Sequence, residues 1–190
     1  MLKHVFWLAA ASFGAMISMS VFSSHAIAAD TDKATGGSLS AHDLKFVTEA
    51  AQGGMTEVKA SQVAIGKTTS PQIKEFAQKM IDDHGKVNDQ LKSLAEGKGV
   101  TVPTDLDSSH QSSVDELANS SGPDFDKAYV KMMVKDHKDA VELFQHYSGA
   151  VKSMFHKPAD DADLRDFATK TLPTLQEHLS MVQGIQDNMK

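Results

Sequence analysis

Three histidines in this sequence directly follow an acidic residue. The pairs are Asp83-His84, Asp136-His137 and Glu177-His178. His84 lies four residues after Met80 and three before Val87, so it interrupts an apolar stripe at helical spacing. His178 interrupts the apolar stripe of a second segment in the same way, and His137 lies at the edge of the apolar stripe of a third segment. Because residues three or four apart share one face of a helix, we predict that the three histidines point into the protein.

Imidazole and carboxylate groups on inward helix faces can bind a metal ion. Ligands from facing helices are the usual material of a metal site in a helical bundle. Glu57 occupies an inward position of a further predicted helix. We therefore predict a single site for a transition metal, iron or copper, with the ligands Glu57, His84, His137 and His178. The acids Asp83, Asp136 and Glu177 would lie outside this set and orient the rings.

A methionine stands one helical turn from each of these histidines. The three are Met80, Met133 and Met181. Thioether sulfur together with imidazole suits copper better than iron, so these side chains form an alternative set of copper ligands. Methionine is also a common filler of protein cores.

A purely structural interpretation of the histidines stays open. A buried histidine is stable without metal when a carboxylate or a carbonyl accepts a hydrogen bond from its ring. In that case the acid–histidine pairs only lock the packing of the helices.

Two long amphipathic segments in the first half of the domain carry Glu57 and His84. Ser40, with Asp43 three residues later, predicts the start of the first helix. Ser70-Pro71 predicts the start of the second, because serine caps a helix and proline fits its first turn.

The second half of the domain carries the other two histidines. A short helix is predicted near residues 114–118, and Gly122-Pro123 opens a long helix that would run to about Phe155. A turn at residues 157–160 precedes a fourth long helix that ends near Met189. No segment alternates like a strand, so the predicted fold is all-α: an antiparallel four-helix bundle with a short extra helix in the crossover.

The N-terminal region has the pattern of a secretory signal. Lys3 precedes an uncharged, mostly apolar stretch at residues 5–22, and Ala26-Ile27-Ala28 forms a small-residue cleavage site. We predict a cleaved signal at residues 1–28, a flexible polar leader at 29–39 and the bundle domain at 40–190. The long apolar stretch keeps an uncleaved membrane anchor as an alternative.

Charge and cysteine content exclude several classes. The formal charge is −6, and it becomes −7 without residues 1–28, which carry Lys3 and no acid. A nucleic-acid partner is not expected of so acidic a chain. The absence of cysteine excludes a lipid anchor, thiolate catalysis and disulfides. We predict a periplasmic or secreted protein whose mature part has no stable membrane insertion; its partners and oligomeric state stay open.

Four segments together resemble a widespread bacterial family of exported proteins. They are residues 51–58, 76–84, 125–129 with Asp136-His137, and 172–179. The family is described as a domain of unknown function, is often labelled a predicted outer membrane protein and is regarded as ferritin-like. The resemblance covers about residues 42–186. It implies a four-helix ferritin-like fold without an established activity, and its label keeps outer-membrane association open.

The usual di-iron site of ferritin-like enzymes is not expected here. Those enzymes place a glutamate three residues before a ligand histidine. In this sequence Ile81, Val134 and Leu175 occupy those positions, and none of them binds a metal. A mononuclear site with the four predicted ligands remains compatible with the sequence.

These observations favour an exported ferritin-like bundle that binds a metal ion through inward glutamate and histidine side chains. The alternative is a non-enzymatic envelope protein, related to stress or to interactions, in which the pairs are structural. Catalysis is not expected, because no serine or threonine nucleophile stands at a recognisable spacing from a histidine.

Overall fold

A computed structural model describes residues 39–150 and 161–189 of the chain. Five α-helices occur in these ranges: α1 Ala41–Lys67, α2 Pro71–Gly97, α3 Ser108–Ala118, α4 Gly122–Ser148 and α5 Ala162–Asp187. No strand occurs in the two described ranges. The all-α prediction is confirmed.

The predicted helix starts are confirmed by their capping contacts. The Ser40 hydroxyl accepts a hydrogen bond from the Asp43 backbone N–H, and the Asp43 carboxylate accepts one from the Ser40 backbone N–H. Ser70 caps α2, with Pro71 at its first position. These side chains satisfy backbone N–H groups that have no partner inside the helix.

The four long helices form an antiparallel bundle. Phe46, near the start of α1, stacks on Tyr147 at the end of α4, whereas Ser61, late in α1, hydrogen-bonds Tyr129 early in α4. α2 follows α1 after residues 68–70 and packs along it, as α5 packs along α4. α3 lies against α1 and α4 in the crossover between α2 and α4, as predicted.

Two apolar clusters fill the bundle. The aromatic cluster includes Phe46, Leu91, Phe144, Tyr147 and Phe167. The methionine cluster includes Phe76, Met80, Tyr129, Met133 and Val182. Both clusters draw side chains from all four long helices.

A polar layer separates the two clusters. Its members are Glu57, His84, His137 and His178, all of them buried. In each long helix, the layer residue stands between a member of the aromatic cluster and a member of the methionine cluster. The layer therefore crosses the middle of the core and receives one side chain from each long helix.

Three boundaries differ from their prediction. α4 ends at Ser148 and not near Phe155, because Gly149 adopts a left-handed conformation with φ 77° that terminates the helix. α3 has 11 residues and begins at Ser108, since Asp107 caps it ahead of the predicted segment. Leu39 is buried in the aromatic cluster, so packed structure reaches the last residue of the predicted leader.

Some predicted features lie outside the described residues. They are the signal segment 1–28, the leader as far as residue 38 and the turn at 157–160. Among the helices of residues 39–150 and 161–189, none is both long enough and apolar enough to cross a membrane.

Candidate metal centre

Glu57 is a buried member of the polar layer, 2% exposed. Its Oε2 is 2.9 Å from Nδ1 of His84, and its Oε1 is 3.1 Å from Nδ1 of His137. Burial alone raises the pKa of a carboxyl group, but the charges of the two imidazoles and the His84 hydrogen bond hold the pKa of Glu57 down at about 2. Glu57 is therefore an anion, and Nδ1 of His84 donates to it.

His137 is fixed by the backbone of its own helix. Its Nδ1 lies 2.9 Å from the carbonyl oxygen of Met133. A carbonyl oxygen can only accept, so Nδ1 carries the proton and donates it there. Glu57 Oε1, although close to the same nitrogen, receives no hydrogen bond. In neutral His137 the Nε2 atom consequently carries a lone pair.

His178 is held by Asp83, which in turn pairs with the partly exposed Lys79. Its Nε2 lies 3.1 Å from Oδ2 of Asp83, which also accepts a hydrogen bond of 2.9 Å from Lys79. Burial raises the pKa of a carboxyl group, but the hydrogen bonds from Lys79 and His178 lower that of Asp83 below its usual value. Asp83 is thus an acceptor, Nε2 of His178 donates, and Nδ1 carries the lone pair.

Each ring in the layer keeps one buried nitrogen without a hydrogen-bond partner. These atoms are Nε2 of His84, Nε2 of His137 and Nδ1 of His178. The ring centroids stand 5.3–5.5 Å apart in a triangle, and one nitrogen from each ring lies within 4.8 Å of the other two. A buried polar atom without a partner is costly, so one such nitrogen on each of three adjoining rings indicates an unsatisfied binding capacity.

This triangle has the composition of a metal site. Bonds of about 2.0–2.1 Å in a tetrahedral arrangement hold ligand nitrogens about 3.3 Å apart, so the separations between the ring nitrogens would shrink by up to about 1.5 Å on binding. Three protein ligands leave a fourth position for a further ligand. Carboxylate and carbonyl acceptors on the opposite ring nitrogens are the usual supports of ligand histidines.

The pKa values of the three histidines are shifted in different directions. Burial lowers the pKa of His178 to about 4, with the charge of His84 acting in the same direction. Burial also lowers the pKa of His137. His84 is the exception: burial lowers its pKa, but the Glu57 carboxylate outweighs this and raises it above the usual value. His137 and His178 are thus neutral near pH 7, the form in which imidazole binds a metal.

The structure brings some of the predicted site residues together and places others away from the rings. The three histidines and Glu57 come together, and Asp83 orients His178 as expected. Glu57 lies on the protonated side of His84, so in this geometry it orients the His84 ring and does not face its free nitrogen. Glu177 is 64% exposed and faces Lys79, so it supports no ring.

Asp136 also lies apart from the rings, in the wall of a cavity of about 870 Å³ that includes Glu57 and His84. Burial, together with the charge of Glu57, raises the pKa of Asp136 to about 6. Its position follows from helix geometry, because adjacent residues point about 100° apart and His137 occupies the inward direction.

The three methionines do not form a ligand cluster comparable to that of the histidines. Met80 and Met133 are buried in the methionine cluster, whereas Met181 is 36% exposed. A copper site that places all three thioethers in the core does not fit this structure.

The sequence interpretation missed Lys79, which hydrogen-bonds the Asp83 carboxylate that orients His178. It stands four residues before Asp83, the spacing of an ion pair along one helix face, and this spacing is the signal that would have found it.

The fold and the layer define a helical-bundle protein with a buried three-histidine cluster supported by a carboxylate. A family model described as "Domain of unknown function (DUF4142)" matches residues 28–185. The chain belongs to this family, and the predicted membership of a family of unknown function with a helical fold is confirmed.

A solved structure shares the fold. It is described as the crystal structure of a DUF305 fragment from Deinococcus radiodurans, with 10% sequence identity and a TM-score of 0.66. The similarity covers 80% of this chain and 99% of that one. No curated protein matches the chain.

Proposed function

We propose that this protein binds one divalent first-row transition-metal ion through His84, His137 and His178. The observation that carries the proposal is the cluster of three buried histidine rings, each of which keeps one nitrogen without a hydrogen-bond partner. The opposite nitrogen of each ring is held by Glu57, the Met133 carbonyl or Asp83. Such supports fix the tautomer that a metal ligand needs.

Equilibrium dialysis tests this proposal. Zn²⁺ is the first probe, and Fe²⁺ and Cu²⁺ are tested in parallel because imidazole binds all three. We expect one ion per wild-type chain. Alanine at position 84, 137 or 178 should weaken binding at least 100-fold, whereas His146→Ala, a change on the surface, should leave it intact. Equal occupancy in wild type and the three layer variants would refute the proposal.

A second candidate role is structural, and the hydrogen bonds of the layer favour it. Glu57 with His84 joins α1 to α2, and Asp83 with His178 joins α2 to α5. In an envelope protein that acts in stress or in interactions, these bonds would only specify the packing. This role leaves the three free nitrogens without an explanation, so we place it second.

We further propose that the protein is exported to the periplasm or secreted. The support is the signal pattern at residues 1–28, and the family model begins to match at residue 28. The intact mass and N-terminal sequence of the protein from a periplasmic fraction test this proposal. We expect a mature chain that begins at Ala29; retention of Met1 in the purified protein would contradict cleavage.

A further inference from the structure

The cavity beside the polar layer lies between helices α1 to α4. Its wall includes Glu57 and His84, which are 2% and 3% exposed. Oε1 of Glu57 and Nε2 of His84 are both buried without a hydrogen-bond partner. The cavity therefore reaches the polar layer at two side chains that each keep one unpartnered polar atom.

The cavity wall carries mainly negative charge. Its carboxylates are Glu49, Glu57, Glu116, Asp136 and Asp139, and its lysines are Lys131 and Lys135. Lys135 is paired with Asp139 at 2.8 Å. A concave surface lined mainly by one sign of charge concentrates counter-ions and speeds their association. This cavity is suited to cations.

Asp136 stands in this wall next to the ligand His137 in sequence. Its Oδ1 is 3.8 Å from Lys135, beyond hydrogen-bond distance, and its Oδ2 is buried with no hydrogen-bond partner. The Asp136 side chain is only 22% exposed. A carboxylate oxygen without a donor is free to accept a cation.

We propose that this cavity is the route by which a divalent cation reaches the polar layer, and that Asp136 holds the cation in transit. The inference rests on the proposed metal binding and concerns its rate. Asp136 attracts the partly hydrated ion and passes it to the histidines, where imidazole replaces water. Since Asp136 does not belong to the final ligand set, it changes the rates of entry and exit and not the equilibrium affinity.

The first test measures Co²⁺ uptake by stopped-flow absorption, because the visible spectrum of Co²⁺ changes on binding to imidazole. Asp136→Asn should slow association at least fivefold and leave the equilibrium dissociation constant within twofold of wild type. Glu177→Gln is the matched control: it also removes a charge next to a ligand histidine, but Glu177 is exposed and lies outside the cavity wall.

A second variant narrows the route without a change of charge. Gly53 lines the cavity, and a Cβ atom there would meet nothing within 4 Å. Gly53→Leu should therefore fold normally, because leucine also favours a helix more than glycine does. We expect it to slow Co²⁺ association at least threefold, again with an unchanged dissociation constant.

The outcomes separate the two proposals. If wild type binds Co²⁺ but both variants associate at the wild-type rate, the route is wrong and the metal site stands. The route is also wrong if Glu177→Gln slows association as much as Asp136→Asn does, or if Asp136→Asn lowers affinity without slowing entry. If wild type binds none of the tested metals at equilibrium, the proposed function itself fails, and the route fails with it.

Discussion

Burial would normally keep a carboxyl group such as Glu57 neutral, because a carboxylate away from water is costly unless it is paired. His84 donates a hydrogen bond to Glu57, and this bond together with the charge of the His84 imidazole keeps Glu57 ionised. Glu57 in turn holds a proton of His84 on Nδ1, so the neutral form of His84 has its lone pair on Nε2.

Glu57→Gln tests this orienting role. The amide keeps the shape of the side chain but loses the charge, so we expect metal affinity to fall by about 10- to 100-fold, the usual effect of a lost support. Isothermal titration with Zn²⁺ measures the change, and Glu75→Gln on the exposed face of α2 is the control. Unchanged affinity would remove Glu57 from the site, whereas abolished binding would make it a ligand.

The sequence predicted which side chains enter the core but not how they bond. Apolar periodicity placed Glu57 and the three histidines inward, because helix geometry maps spacing onto direction. It could not assign Asp136 to a cavity or Glu177 to the surface, since both stand beside a histidine in the same pattern. It also could not reveal the Met133 carbonyl as an acceptor, because every residue has one.

At the scale of the helices, the start of α1 is tied to two other parts of the bundle. Asp43, 2% exposed, accepts hydrogen bonds from the Tyr147 hydroxyl in α4 and from the Asp161 backbone N–H before α5. It also caps α1 with Ser40. Burial raises the pKa of a carboxyl group, but these hydrogen bonds outweigh it and lower the pKa of Asp43 below its usual value.

This lowered pKa gives a pH dependence of stability. The folded chain binds a proton at Asp43 less readily than the unfolded chain, so the stabilisation is complete above about pH 4 and is lost as the pH falls through the folded pKa. At pH 7, Asp43→Asn should lower the free energy of unfolding by about 1.5–3 kcal/mol, the contribution of hydrogen bonds to a charged group.

Urea denaturation at pH 7 and pH 2.5 measures this effect. The deficit of Asp43→Asn should shrink at the lower pH, while Asp89→Asn on the exposed face of α2 should match wild type at both. A deficit of the same size at both pH values would show that Asp43 stabilises without its charge.

Gly54 of α1 faces the Asn88 side chain of α2. A Cβ atom at Gly54 would lie within 2.2 Å of Oδ1 of Asn88, whereas one at Gly53 would meet nothing. Gly53→Ala should stabilise the protein by about 0.5–1 kcal/mol through helix propensity. Gly54→Ala should be at least about 1 kcal/mol less stable than Gly53→Ala, because the side chain overpacks the interface.

Thermal and urea denaturation of the two glycine variants test this difference, and Asn88→Ala added to Gly54→Ala should recover most of the loss. Equal stability of the two single variants would mean that Asn88 moves aside without cost.

Helix starts were more predictable than helix ends. Ser40 and Ser70 act locally, and the residues that follow them complete the signal within one turn. The end of α4 was missed because Val151 and Phe155 continue the apolar spacing beyond it. Gly149, which ends the helix, is compatible with a helix interior as well as with a left-handed cap.

On the scale of the whole molecule, the four long helices meet in one polar layer between two apolar clusters. The layer residues come from positions as far apart in sequence as Glu57 and His178. A binding site formed by three of these helices would exist only while the bundle is folded. The proposed metal binding would thus be coupled to global unfolding.

Metal should consequently stabilise the whole bundle. At a free Zn²⁺ concentration of 100 times the dissociation constant, the free energy of unfolding should rise by about 2.7 kcal/mol. Urea denaturation with and without Zn²⁺ measures this increase, which His178→Ala should abolish and the exposed His146→Ala should retain. If the role of the layer is only structural, His178→Ala will lower stability while Zn²⁺ leaves wild type unchanged.

The polar layer also restricts how the chain can misfold. Sliding one long helix by a single turn, about 5.4 Å, would move its layer residue into an apolar cluster and bring an apolar side chain opposite the remaining polar ones. Each slipped arrangement would bury an unpaired carboxylate or imidazole, whereas an entirely apolar core would accept many offsets with little loss. The four polar residues thus select one register among the long helices.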